Sequence, residues 1–322
     1  MAKKGIGWII AGGAAAISGA AITAVSKALF RYTVDSQAGW SYGGKKKKDS
    51  TDPMAKHADR LTEAKDWFYT QEMEDVWITS SIDDTKLHAR YFPCEEPKRF
   101  IVCVHGYRAN AAKNFAGSAQ WFHENGSTML FVDERCCGKS EGRYITFGAR
   151  EKYDVMDWAD WLDERNPEKL PLYLYGVSMG ATAVLSASEY VLPDNLAGII
   201  ADCGFTSMLD ICALCLKKWY GLPAFPLMQT MDLLCREEAH FRMEEADAEK
   251  ALRKCKVPVL FLHGTEDDFV PPSHTIRNYH ACAAPGKDIV WIEGAGHTEG
   301  WCRDTEKYKE AVTRLFANCE GA

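Results

Sequence analysis

Positive charge is the first thing the sequence is short of. Its 38 Lys and Arg residues stand against 45 Asp and Glu, a formal net charge of −7, and the basic residues do not gather within the part of the chain that carries the candidate chemistry. A nucleic-acid-binding surface needs a basic patch to neutralise phosphates, so nucleic acid is excluded as the main partner. Paired cysteine motifs are missing too: among 12 cysteines the single Cys-x-x-Cys is Cys212-Ala-Leu-Cys215, with Cys203, Cys235 and Cys255 as conceivable company. A strong zinc or redox centre calls for two such pairs at ligand spacing. Scattered thiols such as Cys103 and Cys203 lie in apolar runs, where free cysteine behaves as a small hydrophobe. Helix packing is therefore the expected role of the pair, no metal or organic cofactor is expected, and the unpatterned thiols point to a reducing environment. There is no Gly at position 2 to accept a myristoyl chain. What the sequence does have is material for a core: 47 % hydrophobic and 26 % charged residues are ordinary for a globular protein. Its 322 residues accommodate one large α/β domain with an appendage.

The appendage is N-terminal. After Lys3 and Lys4 an uncharged run extends from Gly5 to Ser26, followed by Lys27 and Arg31. As a helix this run would reach roughly 33 Å, enough to cross a hydrocarbon core. Residues 1–31 are therefore expected to form a single-pass N-terminal membrane anchor. A signal peptide cleaved near Ser18-Gly-Ala20, leaving a secreted chain, is the alternative. Lysines flank both ends, so orientation is not fixed. Residues 32–60 read as a flexible basic linker carrying Lys45 to Lys48, and a membrane is the expected partner of this N-terminal region. A helix is expected from about Ala55 to Met73, leading into a domain over 61–322.

Within that domain short apolar runs alternate with helical patterns. Val76 to Ile82 and Lys86 to Pro93 read as an antiparallel opening pair. Core strands are expected at 99–104, 128–133, 172–175, 196–202, 257–262 and 288–293, with helices near 110–124, 149–165, 179–190, 272–283 and 300–318. β-branched strands buried on both faces imply a mostly parallel, doubly wound sheet with helices on both sides, whose ligands bind at the carboxyl ends of the strands. The stretch from about 205 to 253 is too long for a plain crossover, and its apolar helical runs predict a small cap insertion over those ends.

The run Leu172 to Tyr175 breaks into Gly176-Val-Ser-Met-Gly180 and continues as a helix. A strand-to-helix turn this tight needs small residues around its serine, and the turn lifts the hydroxyl out of the sheet. Ser178 is thus the candidate nucleophile. A serine hydroxyl attacks only when a base takes its proton and a carboxylate holds that base in the right tautomer. Of nine histidines, His297 stands in Gly294-Ala-Gly-His-Thr298, between the last strand and the final helix, where a base would be needed. His263, just past a core strand, reads as a satisfied structural residue. Glu266, Asp267 and Asp268 follow the preceding strand and are the available acids.

The order serine, acid, histidine, together with His263-Gly-Thr-Glu-Asp-Asp-Phe-Val-Pro271, resembles the α/β-hydrolase family. That resemblance implies an α/β-hydrolase fold and makes Asp267 the acid, with Asp268 the fallback. It places one oxyanion donor after Val104-His-Gly-Tyr107 and the other after the nucleophile, here the backbone N–H groups of Tyr107 and Met179. Asp133-Glu-Arg-Cys-Cys-Gly-Lys-Ser140 resembles a further loop of the family, with Cys136 where Gly is usual. The branch most similar comprises esterases, lysophospholipases and serine aminopeptidase-like proteins. The expected function is a serine hydrolase cleaving a small-molecule carboxylic ester through an acyl-enzyme. Alternatives are cleavage of short peptides or amides, and a catalytically silent, membrane-tethered binding protein.

Overall fold

A computed structural model describes residues 19–38 and 56–321. Helix α1 spans Gly19–Thr33 and α2 Ala58–Thr70; the antiparallel pair β1 (Glu74–Thr79) and β2 (Lys86–Phe92) follows. Strands and helices then alternate: β3 Arg99–Val104, α3 Ala111–Glu124, β4 Ser127–Asp133, α4 Glu151–Glu164, β5 Leu172–Val177, α5 Met179–Ala187 and β6 Leu196–Asp202. The long connection to β7 (Val259–Gly264) holds α6 (Met208–Cys215), α7 (Leu227–Ala239) and α8 (Ala248–Leu252). Then come α9 (Ser273–Ala281), β8 (Lys287–Ile292), α10 (Gly300–Arg303) and α11 (Thr305–Cys319).

All eight strands join one sheet in the order β1-β2-β4-β3-β5-β6-β7-β8, with β2 antiparallel to both neighbours and the rest parallel. The expected α/β-hydrolase architecture is present. Strands β3, β5 and β7 are buried at every position, because helices cover both faces, and so they read as continuous apolar runs. Phe68, Phe115, Phe122, Trp301 and Phe316 cover one face; Trp158, Leu162, Val184 and Leu252 cover the other. Buried charges also lie within this frame. Arg99, at the start of β3, is buried, pairs with Glu320 through two hydrogen bonds of 2.6 and 2.9 Å, and lies 4.1 Å from the centre of the Phe316 ring.

The expected cap corresponds in part to what is seen. Helices α6 and α7 form a third apolar cluster above the carboxyl ends of the strands, and a bridge between Ser207 and Asp247 closes the base of the insertion. Helix α8 instead packs Ala248 and Leu252 into the sheet-flanking core.

The N-terminal expectation needs correction. No helix among the described residues is long and apolar enough to cross a membrane, so the single-pass membrane anchor is not supported. Helix α1 has 15 residues, about 22 Å at 1.5 Å per residue, against a hydrocarbon core of about 30 Å. Its apolar residues have another use. Phe30 and Ser26 are fully buried, Ile22, Val25 and Leu29 pack onto the cap cluster, and Ser26 Oγ donates to the Leu227 carbonyl at 3.2 Å. Lys27 and Arg31 lie on the exposed side. Residues just after α1, expected to begin a flexible linker, pair with the domain: Val34 is buried, Asp35 bridges Tyr144, and Ile145 N–H donates to the Val34 carbonyl at 2.9 Å. Residues 1–18, with the candidate cleavage site's first residue, and the Lys45 to Lys48 run lie outside the described residues.

Candidate active site

Strand β5 enters the elbow at Gly176 and α5 leaves it at Met179, with Ser178 between them in a strained backbone conformation at φ 56° and ψ −115°. Both glycines are required by space. A Cβ on Gly176 would come within 2.3 Å of the Gly180 carbonyl oxygen, and one on Gly180 within 2.1 Å of the Val104 carbonyl oxygen. Ser178 N–H donates to the Asp202 carbonyl at 2.8 Å, which ties the turn to β6.

Ser178 Oγ lies 2.9 Å from His297 Nε2, and His297 Nδ1 lies 2.7 Å from Asp267 Oδ2. A carboxylate only accepts, so Nδ1 carries the ring proton and Nε2 is left to accept from the serine. The other Asp267 oxygen accepts from the N–H groups of Phe269 and Val270 at 3.0 and 2.9 Å. Burial by itself would raise the Asp267 carboxyl, but hydrogen bonds and charge from His263 and His297 outweigh it and hold the group well below the usual carboxylate range. Asp268 points away: its side chain is 88 % exposed and pairs with Lys218. The structure therefore brings Ser178, His297 and Asp267 together and leaves Asp268 apart.

Tyr107 and Met179 flank the same serine. Met179 opens α5, where the backbone N–H has no acceptor within the helix. Gly106 N–H donates to Asn114 Oδ1 at 2.9 Å, fixing the loop before Tyr107. Tyr107 and Ser178 line one cavity of about 760 Å³ that reaches under the cap, within the range of small-molecule sites. Its apolar wall includes Phe205, Ile211, Leu216 and Phe269, and helix α1 adds Leu29.

His263, which the sequence reads as a satisfied structural residue, borders this centre together with Cys203 and Asp202. His263 is fully buried; its Nε2–H donates to the Val270 carbonyl at 2.8 Å, and the same nitrogen is 3.3 Å from Asp267 Oδ2. Cys203, at φ 47°, has its donor atom within 4.8 Å of those of Asp267 and His297. This is the one group among the described residues with a donor set that could hold a metal ion. Cys212 and Cys215 belong to no such group there; both are free thiols lining the cavity. Asp202 is buried behind the elbow, where burial raises its carboxyl, and it accepts from Tyr308, which also bonds Tyr175. Lying in a run of strand residues, it carries no local pattern.

Glu134 is the least settled charge nearby. It is buried, and among the described residues neither carboxyl oxygen has a hydrogen-bond partner; His105 Nδ1 lies 3.7 Å away. Burial first, then the charges of Glu151 and Asp154, push its carboxyl well above the ordinary value of 4.5. The folded state therefore holds a proton that the unfolded chain releases, and this group makes stability fall as pH rises above its unfolded value. Replacing Glu134 with glutamine should shrink the drop in melting temperature between about pH 5 and pH 8. Equal slopes in wild type and variant would show that Glu134 does not titrate in this way.

Comparison with known proteins bears on the fold that carries these residues. Residues 95–231 match the family described as "Serine aminopeptidase, S33". The chain is 26 % identical over 273 residues to the uncharacterized protein YqkD of Bacillus subtilis (strain 168), covering 85 % of this chain and 88 % of the relative. It is 28 % identical over 255 residues to the alpha/beta hydrolase domain-containing protein WAV2 of Arabidopsis thaliana, covering 73 % and 75 % of the two chains. Among solved structures, an esterase of Pyrococcus furiosus superposes with a TM-score of 0.63 at 22 % identity, over 79 % of this chain and 94 % of that one. An acylaminoacyl peptidase of Pyrococcus horikoshii superposes with a TM-score of 0.57 at 15 % identity, over 79 % of this chain and 43 % of that one. Sheet order and relatives converge: the chain has the α/β-hydrolase fold and is similar to alpha/beta hydrolase proteins over most of its length.

Proposed function

We propose that the protein is a serine hydrolase that cleaves a carboxylic ester. Ser178 attacks the carbonyl while His297 takes its proton, and the Tyr107 and Met179 N–H groups receive the developing oxyanion. His297 then returns the proton to the leaving alcohol, and a second cycle with water frees the acid. Asp267 keeps Nδ1 protonated and stabilises the imidazolium. The observation that carries this reading is the continuous pair of contacts, 2.9 Å from serine to imidazole and 2.7 Å from imidazole to carboxylate, at the floor of an apolar cavity.

Cleavage of aminoacyl peptides is the second reading, suggested by the family description and by the acylaminoacyl peptidase fold relative. The lining favours the ester. A substrate with a free α-ammonium group needs a carboxylate to receive it, and the described residues lining the cavity include no Asp or Glu, whereas Arg108 and Lys113 are among them. A fluorophosphonate probe should label the wild type and leave Ser178→Ala unlabelled. Equal labelling of the two would remove Ser178 from the mechanism, and cleavage of aminoacyl amides with every ester untouched would favour the peptidase.

A further inference from the structure

Helix α1 does more than fill a groove on the cap. Its face at Leu29, Tyr32 and Thr33 borders the same cavity as Ser178 and His297, and its last carbonyls hold the loop proposed to bind the oxyanion. Tyr107 Oη donates to the Thr33 carbonyl at 2.9 Å, and Arg108 Nη2 donates to the Asp35 carbonyl at 3.1 Å. Burial, the main cause, pushes the Tyr107 phenol up to about 12, so it stays protonated, and a donor, at neutral pH. The far side of the segment is pinned as well. Ser26 bonds the start of α7, Asp35 takes Arg143 at 3.0 Å, and Ser36 N–H donates to the Arg143 carbonyl at 2.8 Å. A segment held at both ends between cap and oxyanion loop is a fixed wall, and its one large aliphatic side chain at the cavity is Leu29.

We infer that helix α1 is the outer wall of an acyl-chain pocket and that Leu29 sets which chain lengths fit, with medium-chain acyl esters as the substrate class. This rests on the ester-hydrolase reading of Ser178. An acetyl group would leave most of a cavity of about 760 Å³ unfilled, whereas each further methylene buried against these side chains favours binding by about fourfold. Leu29 lines the same cavity as Ser178, beside the apolar side chains of Ile211, Leu216 and Phe269. Because Leu29 is itself only partly buried, a change in its size alters the cavity more than the core.

The test uses the full chain and p-nitrophenyl esters of acetate, octanoate and dodecanoate. Wild type should prefer octanoate to acetate. In Leu29→Trp the octanoate-to-acetate ratio of kcat/KM should fall tenfold or more, and in Leu29→Ala the dodecanoate-to-octanoate ratio should rise. Ratios unchanged in both variants overturn the proposal. A parallel measurement needs no turnover: calorimetric binding of the octanoyl ester to Ser178→Ala, with and without Leu29→Trp, should weaken at least tenfold with tryptophan. Unaltered binding overturns the wall. An absence of fluorophosphonate labelling in wild type, with chain-length-dependent binding intact, overturns the mechanism and leaves the wall standing.

Discussion

Alanine in place of His297 should lower kcat/KM for any ester that the wild type cleaves by roughly 10⁴-fold or more. The reason is in the proton's path. Among the described residues Ser178 Oγ has one basic nitrogen within hydrogen-bond distance, His297 Nε2 at 2.9 Å, and Asp267 contacts that ring through Nδ1. Residues that act as a unit lose their effect together, so Ser178→Ala combined with His297→Ala should be no slower than either single variant. The residual rate would belong to the oxyanion donors and to substrate binding. A His297→Ala variant within tenfold of wild type would sink the assignment of the base. Asp267→Asn should come close to the same loss, because an amide can present its N–H₂ to Nδ1 and so favour the wrong tautomer.

The second large effect is on the fold. Gly180→Ala brings a methyl group within 2.1 Å of the Val104 carbonyl oxygen and 2.6 Å of the His105 carbonyl oxygen. Both neighbours are backbone, one of them in a strand bonded on each side, so neither can turn aside as a side chain would. We expect a loss of about 3 kcal/mol or more, which for a domain of this size lowers the melting temperature by about 6 °C or more. Differential scanning calorimetry decides it. A melting temperature within a degree or two of wild type would mean that the elbow accommodates a methyl group at position 180 without strain.

The elbow, the proposed base and the alternation of strand and helix were readable because each is local: glycine spacing, a strand end and an apolar run lie within a few residues of one another. Asp267 came through family resemblance, since three adjacent carboxyls look alike until the fold buries one and exposes the next. Cys203 and Asp202 were missed for the opposite reason. Each matters through what packs against it from elsewhere in the chain, and nothing in its own neighbourhood announces that. The N-terminal segment was misread as a membrane anchor on similar grounds. Ile22, Val25, Leu29 and Phe30 are apolar at helical spacing, and a period of this kind says that a face is buried without saying in what. The cap supplied the partner, and the partner is written some two hundred residues further on.

The contact between Arg99 and Glu320 has a meaning in time. Strand β3 lies inside the sheet, between β4 and β5, yet its guanidinium is answered by a carboxylate 221 residues later. At a synthesis rate of about 5–20 residues per second, the ribosome delivers that carboxylate roughly 10–45 s after the arginine. Throughout that interval a nascent sheet would have to hold a cation at its base without its counter-ion or the ring of Phe316. The Arg99–Glu320 contact can therefore form only once translation has passed residue 320.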